Sequence, residues 1–122
     1  MIRGIGIDMI EIDRVKKAAQ SERFLQKVFT PNEIAYCKER GKHQYASLAA
    51  RFAAKEAVIK ALNIGNQGIF WQQIEVVRIR DEAPQILLSG KVREIAGNKG
   101  VSTIFLSLSH HQTEAIAQVI LC

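Results

Sequence analysis

Few side chains in this sequence have both the type and the setting that chemistry requires; Glu56, Lys60, Asp8 and His110 are the leading ones. Glu56 and Lys60 stand four residues apart in LAARFAAKEAVIKAL, residues 48 to 62, with Arg51 and Lys55 on the other flank. On a helix that spacing has two readings. A solvated pair of this kind is worth about 0.3–0.5 kcal/mol and implies nothing further. Glu56, however, borders a row of alanines, which puts its carboxylate half inside the protein, where a cation, a metal or hydrogen bonds must keep it charged. Asp8 follows Gly4 and Gly6 at the two-residue period of one strand face. A lone aspartate at a strand end is ordinarily a turn former or a helix cap. The bare glycine face ahead of it instead leaves room for another backbone or a ligand to approach. His110 ends a strand at a hairpin mouth, where it is open to a structural role or a ligand-facing one.

The element that must position Glu56 and Lys60 is a helix. Residues 48 to 62 contain no Gly or Pro and six alanines, so helix propensity there is near its natural ceiling. At about 100° per residue, Leu48, Phe52, Val58, Ile59 and Leu62 form an ordinary core face, with the alanines opposite. A face of methyl groups is unusual in water, so a second element should pack closely there and leave this helix central. Asp8 belongs to a strand read over Met1 to Ile10, where Ile5, Ile7 and Met9 alternate with the glycines and Asp8.

Between these two elements the chain is basic and helical, opening near Asp13 as a candidate cap. Arg14, Lys16, Lys17, Arg23 and Lys27 lie within fourteen residues, with Ser21 as a break and recap. Such a run is a solvated face or a docking surface. Thr30-Pro31-Asn32-Glu33 reads as a capping box with Pro at the first helical position, opening a short helix that should stop at Gly41. His43 leads into the central helix, which ends around Asn63 to Gly65. Beyond a loop at Gly65 to Gly68, strands are expected over Ile74 to Arg80 and Gln85 to Leu88, joined by a turn at Asp81 to Pro84. A helix over Lys91 to Ala96 should be capped by Ser89 and closed by Gly97 and Gly100. Strands over Val101 to His110 and Ala115 to Leu121 complete the chain. The pattern predicts an α+β fold, one long helix packed on a mostly antiparallel sheet.

At 122 residues the chain is expected to be one domain, residues 1–122. No apolar run approaches the ~20 residues of a membrane span, and the start does not read as a signal sequence; a cytoplasmic protein without a membrane partner is expected. Cys37 and Cys122 lack metal-ligand spacing, which argues against zinc. The net charge of +5 calls for an acidic partner. A small nucleic-acid binder is one candidate. Its aromatic content of 7%, with no aromatic interleaved in a basic cluster, argues against it.

Three blocks together, GIGIDMIEIDR at 4 to 14, RFAAKEAVIKAL at 51 to 62 and SLSH at 107 to 110, resemble a known pattern. In order and spacing they are similar to the holo-acyl-carrier-protein synthases, the small type of 4′-phosphopantetheinyl transferase. The resemblance implies a transfer of 4′-phosphopantetheine from coenzyme A to a serine of apo-acyl carrier protein, for fatty acid biosynthesis. It implies Mg²⁺ ligation by Asp8 and Glu56 and a lysine near the phosphates at Lys60. Coenzyme contacts at Arg51 and His110 follow from it too, as does a carrier-protein surface including Arg14, Lys17, Arg23 and Lys27. Glu56, Lys60 and His110 then become the candidate catalytic residues, Glu56 as the base, and the glycine-lined strand a floor beside the ligand. A homotrimer with sites between subunits is also implied. Asn63 stands where this family often has glycine after the helix. A module that keeps the fold without turnover is the third reading; the intact Asp8 and Glu56 speak against it.

Overall fold

The computed structural model describes residues 1–65 and 70–122. In chain order β1 (Gly4–Glu11) is followed by α1 (Ile12–Ala18), α2 (Glu22–Val28) and α3 (Pro31–Lys38), then a 3-10 turn at Gly41–His43 and α4 (Gln44–Leu62). A second 3-10 turn at Trp71–Gln73 leads into β2 (Ile74–Val77) and β3 (Gln85–Leu88), then α5 (Gly90–Asn98), β4 (Ile104–His110) and β5 (Glu114–Leu121). The architecture is the expected α+β one. β1, β5 and β4 form an antiparallel sheet in that order, and β2 and β3 form a separate antiparallel ribbon.

α4 is central and covered on both sides, as its alanine face predicts. Val58, Leu62, Ile74, Val92, Ala117 and Val119 share one core, while Val15, Val28, Phe29, Cys37, Leu48 and Ala49 share another against the first three helices. The helix stops at Asn63, which takes the left-handed conformation at φ 56° and ψ 42°, a geometry asparagine tolerates better than most residues.

The glycine face of β1 answers the question left open by the sequence. A Cβ on Gly6 would stand 1.9 Å from the Ala57 carbonyl oxygen, and one on Gly4 would stand 2.3 Å from that of Ala61. The close neighbour is therefore the backbone of α4, and the expectation of a ligand floor at these glycines is corrected. The alanines and glycines are two halves of one contact. Helix and strand approach until only hydrogen and methyl groups separate them, and Asp8, next on that face, is carried to the side of α4.

Several boundaries differ from expectation. β1 begins at Gly4 and runs through Glu11, so Glu11 rather than Asp13 occupies the N-cap of α1, without a side-chain cap. Asp13 lies in the first turn, where its charge still suits the helix dipole. α3 ends at Lys38 rather than at Gly41, whose φ of +59° starts the next turn. β2 ends at Val77, before Arg80 turns left-handed at φ 54°. β4 begins at Ile104, Ser89 caps α5 by position without a side-chain bond, and Gly97 lies within α5 rather than closing it. The Thr30–Glu33 capping box and the Ser21 cap on Phe24 N–H form as read. From Asn66 onward, the loop expected at Gly65 to Gly68 lies outside the described residues.

Candidate active site

β1 and α4 bring Asp8, Glu56 and Lys60 to one side of the molecule. Lys60 Nζ donates to Asp8 Oδ1 at 2.9 Å and to the Ile7 carbonyl at 3.0 Å. The ion pair on this helix face is thus Lys60 with Asp8, rather than Lys60 with Glu56. Glu56 is half-buried and accepts a hydrogen bond from the Trp71 indole, Nε1 to Oε1, at 3.1 Å. Burial pushes the Glu56 carboxyl above the ordinary glutamate value. The Trp71 N–H opposes this, the charge of Asp8 adds to it, and Lys60 opposes it again. A half-buried carboxylate that holds its proton more tightly than usual is better suited to accept one.

Whether these residues fit a divalent ion can be judged from their chemistry. Asp8 lies close enough for its charge to disfavour ionisation of Glu56, the relation of two carboxylates that a shared cation would relieve. Among the described residues no group of three or more His, Cys, Asp or Glu side chains converges on one point. A closed protein cage is therefore not what this pair builds. Two carboxylates with open positions suit Mg²⁺, which keeps waters and takes substrate phosphate oxygens.

Arg51 and His110 meet elsewhere, in an open cleft of about 560 Å³ also lined by Arg40, His43 and Arg78. Arg51 is only 4% exposed; its guanidinium lies 4.2 Å from the Tyr36 ring centroid and donates to Ser47 Oγ at 2.8 Å. Its Nε is buried without a hydrogen-bond partner. Arg40 sits over the same Tyr36 ring at 4.9 Å. Among the described residues none of these guanidinium groups is in an ion pair. A cleft lined by three arginines that have no carboxylate partner among the described residues suits a multiply charged anion.

The structure thus splits the site residues predicted from sequence. Asp8, Glu56 and Lys60 come together; Arg51 and His110 come together; within one chain the cleft of the second pair includes none of the first three. Arg51 and Lys60 leave α4 nine residues apart, which at about 100° per residue puts them on opposite sides of the helix. The basic residues Arg14, Lys16, Lys17, Arg23 and Lys27 are all exposed on α1 and α2. Lys27 Nζ lies 5.9 Å from the centroid of Trp71, so this surface adjoins the Glu56 side.

Sequence reasoning missed three features. It gave Trp71 no role. It placed Lys55 on a flank, whereas Lys55 is fully buried and pairs with buried Glu33 at 2.7 Å. It read the Glu33 capping box as architecture alone. A signal for Lys55 did exist: it falls three residues from both Phe52 and Val58, at core spacing, where a lysine must find a buried anion. Arg40, His43 and Arg78 had no such signal, since only folding gathers them around Arg51.

Comparison with known proteins shows the family of the chain. Residues 4–118 match the sequence model of the 4′-phosphopantetheinyl transferase superfamily. The chain is 43% identical over 124 residues to a holo-(acyl-carrier-protein) synthase of Geotalea daltonii, covering 99% of this chain and 98% of the relative. It superposes on the crystal structure of that synthase from Neisseria meningitidis with a TM-score of 0.88 at 28% identity, covering 99% and 98% of the two chains. A Helicobacter pylori synthase solved in complex with coenzyme A matches with a TM-score of 0.82 at 32% identity, covering 97% and 99%.

Proposed function

The chain belongs to the 4′-phosphopantetheinyl transferase superfamily as a holo-acyl-carrier-protein synthase type of enzyme, and from that footing we propose how its residues serve the transfer. The substrates are coenzyme A and apo-acyl carrier protein; the product serves fatty acid biosynthesis in the cytoplasm, and residues 1–122 act as one transferase domain. No helix among the described residues is long and apolar enough to cross a membrane. The observation that carries the reading is the convergence of Asp8, Glu56 and Lys60 where β1 packs on α4.

The reaction breaks the pyrophosphate of coenzyme A. The serine Oγ of the carrier protein bonds to the phosphorus that carries pantetheine, adenosine 3′,5′-bisphosphate leaves, and the serine proton must go to a base. Asp8 and Glu56 would hold Mg²⁺, which when bound neutralises charge on the phosphates. Glu56, its Oε1 held by the Trp71 N–H, accepts the serine proton. Lys60 keeps Asp8 oriented and supplies positive charge beside the phosphates, since phosphoryl chemistry rests mainly on positioning and electrostatics. Arg51 and His110 bind anionic groups of the coenzyme in their cleft. Arg14, Lys17, Arg23 and Lys27 receive the acidic carrier protein, and the nearness of Lys27 to Trp71 sets that surface beside Glu56.

A homotrimer reconciles the two half-sites. The outer face of the β1–β5–β4 sheet exposes Ile5, Ile7, Met9 and Phe105 at 60, 53, 62 and 57%. Ile116 and Ile120 lie between them in register. An apolar face of this kind marks an interface. Its burial between subunits brings the Arg51–His110 cleft of one chain toward the carboxylates of the next.

The direct test is incubation with coenzyme A, Mg²⁺ and apo-carrier protein, followed by mass spectrometry. The carrier protein should gain one phosphopantetheine on its serine, and withholding either coenzyme A or Mg²⁺ should prevent it. Unmodified carrier protein under full conditions would refute the function.

A further inference from the structure

The buried pair of Lys55 and Glu33 is not used in the proposed chemistry, yet it is costly. Two charges withdrawn from water seldom stabilise a fold better than apolar packing of the same volume. What apolar groups cannot supply is direction. Lys55 Nζ, besides meeting Glu33 Oε1 at 2.7 Å, donates to the Ile74 carbonyl at 2.6 Å and to the Trp71 carbonyl at 2.9 Å. Glu33 is fixed in turn. Its Oε1 accepts from Thr30 N–H at 3.0 Å and its Oε2 from Val76 N–H at 2.9 Å. The pair thereby ties the start of α3 and the Trp71–Val76 segment to α4.

Lys55 and Glu56 are consecutive on α4, so their side chains leave the helix about 100° apart, one into the core and one toward the surface. Trp71 bridges both. Its backbone carbonyl accepts from Lys55, and its indole N–H donates to Glu56 at 3.1 Å. The indole is held against Phe52, ring centroids 5.9 Å apart at an interplanar angle of 62°.

We infer that Trp71 is a positioning residue for Glu56, clamped by the buried Lys55–Glu33 pair. The indole occupies Oε1 and fixes the carboxylate plane, so that Oε2 is the oxygen presented to metal or substrate. Outer-shell donors of this kind set the orientation of a ligating carboxylate, and losing one typically costs about 10–100-fold in metal affinity or activity. The inference rests on the transferase reading of Glu56, and its test separates the two.

Trp71→Phe retains a ring against Phe52 and the Lys55 bond to the backbone, and removes the N–H together with part of the fused indole ring. Calorimetric titration of Mg²⁺ into the protein saturated with coenzyme A, without carrier protein, should show affinity about tenfold or more below wild type. A partly misfolded sample lowers the number of sites and leaves the affinity unchanged, so a purely structural role for Trp71 would not move this readout. Trp71 is also the only tryptophan, and its emission in the wild-type protein should change over the same Mg²⁺ range, with no change in Glu56→Ala. Should Trp71→Phe fail to melt cooperatively, this fluorescence titration decides. An affinity within about twofold of wild type, or indole emission indifferent to Mg²⁺ in an active wild-type enzyme, would overturn the inference and leave the transferase reading intact. A wild-type protein unable to modify carrier protein would overturn both.

Discussion

At the scale of single residues, the Glu56 carboxyl is held above its ordinary proton affinity first by burial and further by the charge of Asp8. In the metal-free protein this has a stability consequence with a definite sign. A carboxyl whose folded-state pKa is raised binds its proton more tightly when folded. The fold therefore gains stability as pH falls through that raised value, and carries a penalty above it. Glu56→Gln removes the charge and keeps an oxygen to accept from Trp71. Its melting temperature should exceed wild type at neutral pH without Mg²⁺ and converge on wild type below the ordinary glutamate value of 4.5. A variant less stable than wild type at neutral pH would contradict the assigned shift. The same substitution should abolish transfer, which sets stability and activity in opposition at this position.

At the scale of elements, the packing of β1 on α4 is what delivers Asp8 to Lys60. The contact tolerates no added atoms: a methyl at Gly6 would meet the Ala57 carbonyl oxygen at 1.9 Å. Gly6→Ala should destabilise the fold by about 3 kcal/mol, the upper end for overpacking, because a backbone neighbour cannot rotate away as a side chain can. Gly97→Ala is the counterpart on α5, with nothing within 4 Å of its added methyl. It should stabilise by about 0.5–1 kcal/mol through helix propensity alone. Urea midpoints of the two variants should move in opposite directions. Equal shifts would mean that β1 relaxes away from the helix and that Asp8 is less firmly placed than the contact implies.

At the scale of the whole molecule, the Asp8–Lys60 pair and the Arg51–His110 cleft lie apart in one chain, and the proposed homotrimer is what would join them into one site. Light scattering should give three times the 13.6 kDa chain mass. Reassembling a mixture of inactive Asp8→Asn and His110→Ala proteins should restore part of the activity, because an interface can then pair an intact carboxylate side with an intact cleft. A fully active monomer at assay concentration would sink the interface site. Trimeric mass without rescue would place Asp8 and His110 in the service of one subunit's site.

The sequence by itself determined the parts whose causes are local. Propensity and the capping box dictate α4 and the start of α3, alternation dictates β1, and three short blocks carry the family. Asp8 and Glu56 were legible as candidates because a bare glycine face precedes the one and a row of alanines borders the other, and Lys60 because it stands four residues from Glu56. Only the tertiary structure decided which charges meet. Lys60 pairs with Asp8, fifty-two residues away, because the Gly–Ala contact sets strand and helix at a distance no local pattern encodes. Lys55 turns inward because Glu33 arrives from another helix, and Trp71 reaches Glu56 because Lys55 holds its backbone. These are long-range hydrogen bonds and ion pairs, and their energies depend on burial, which a chain acquires only once it has folded.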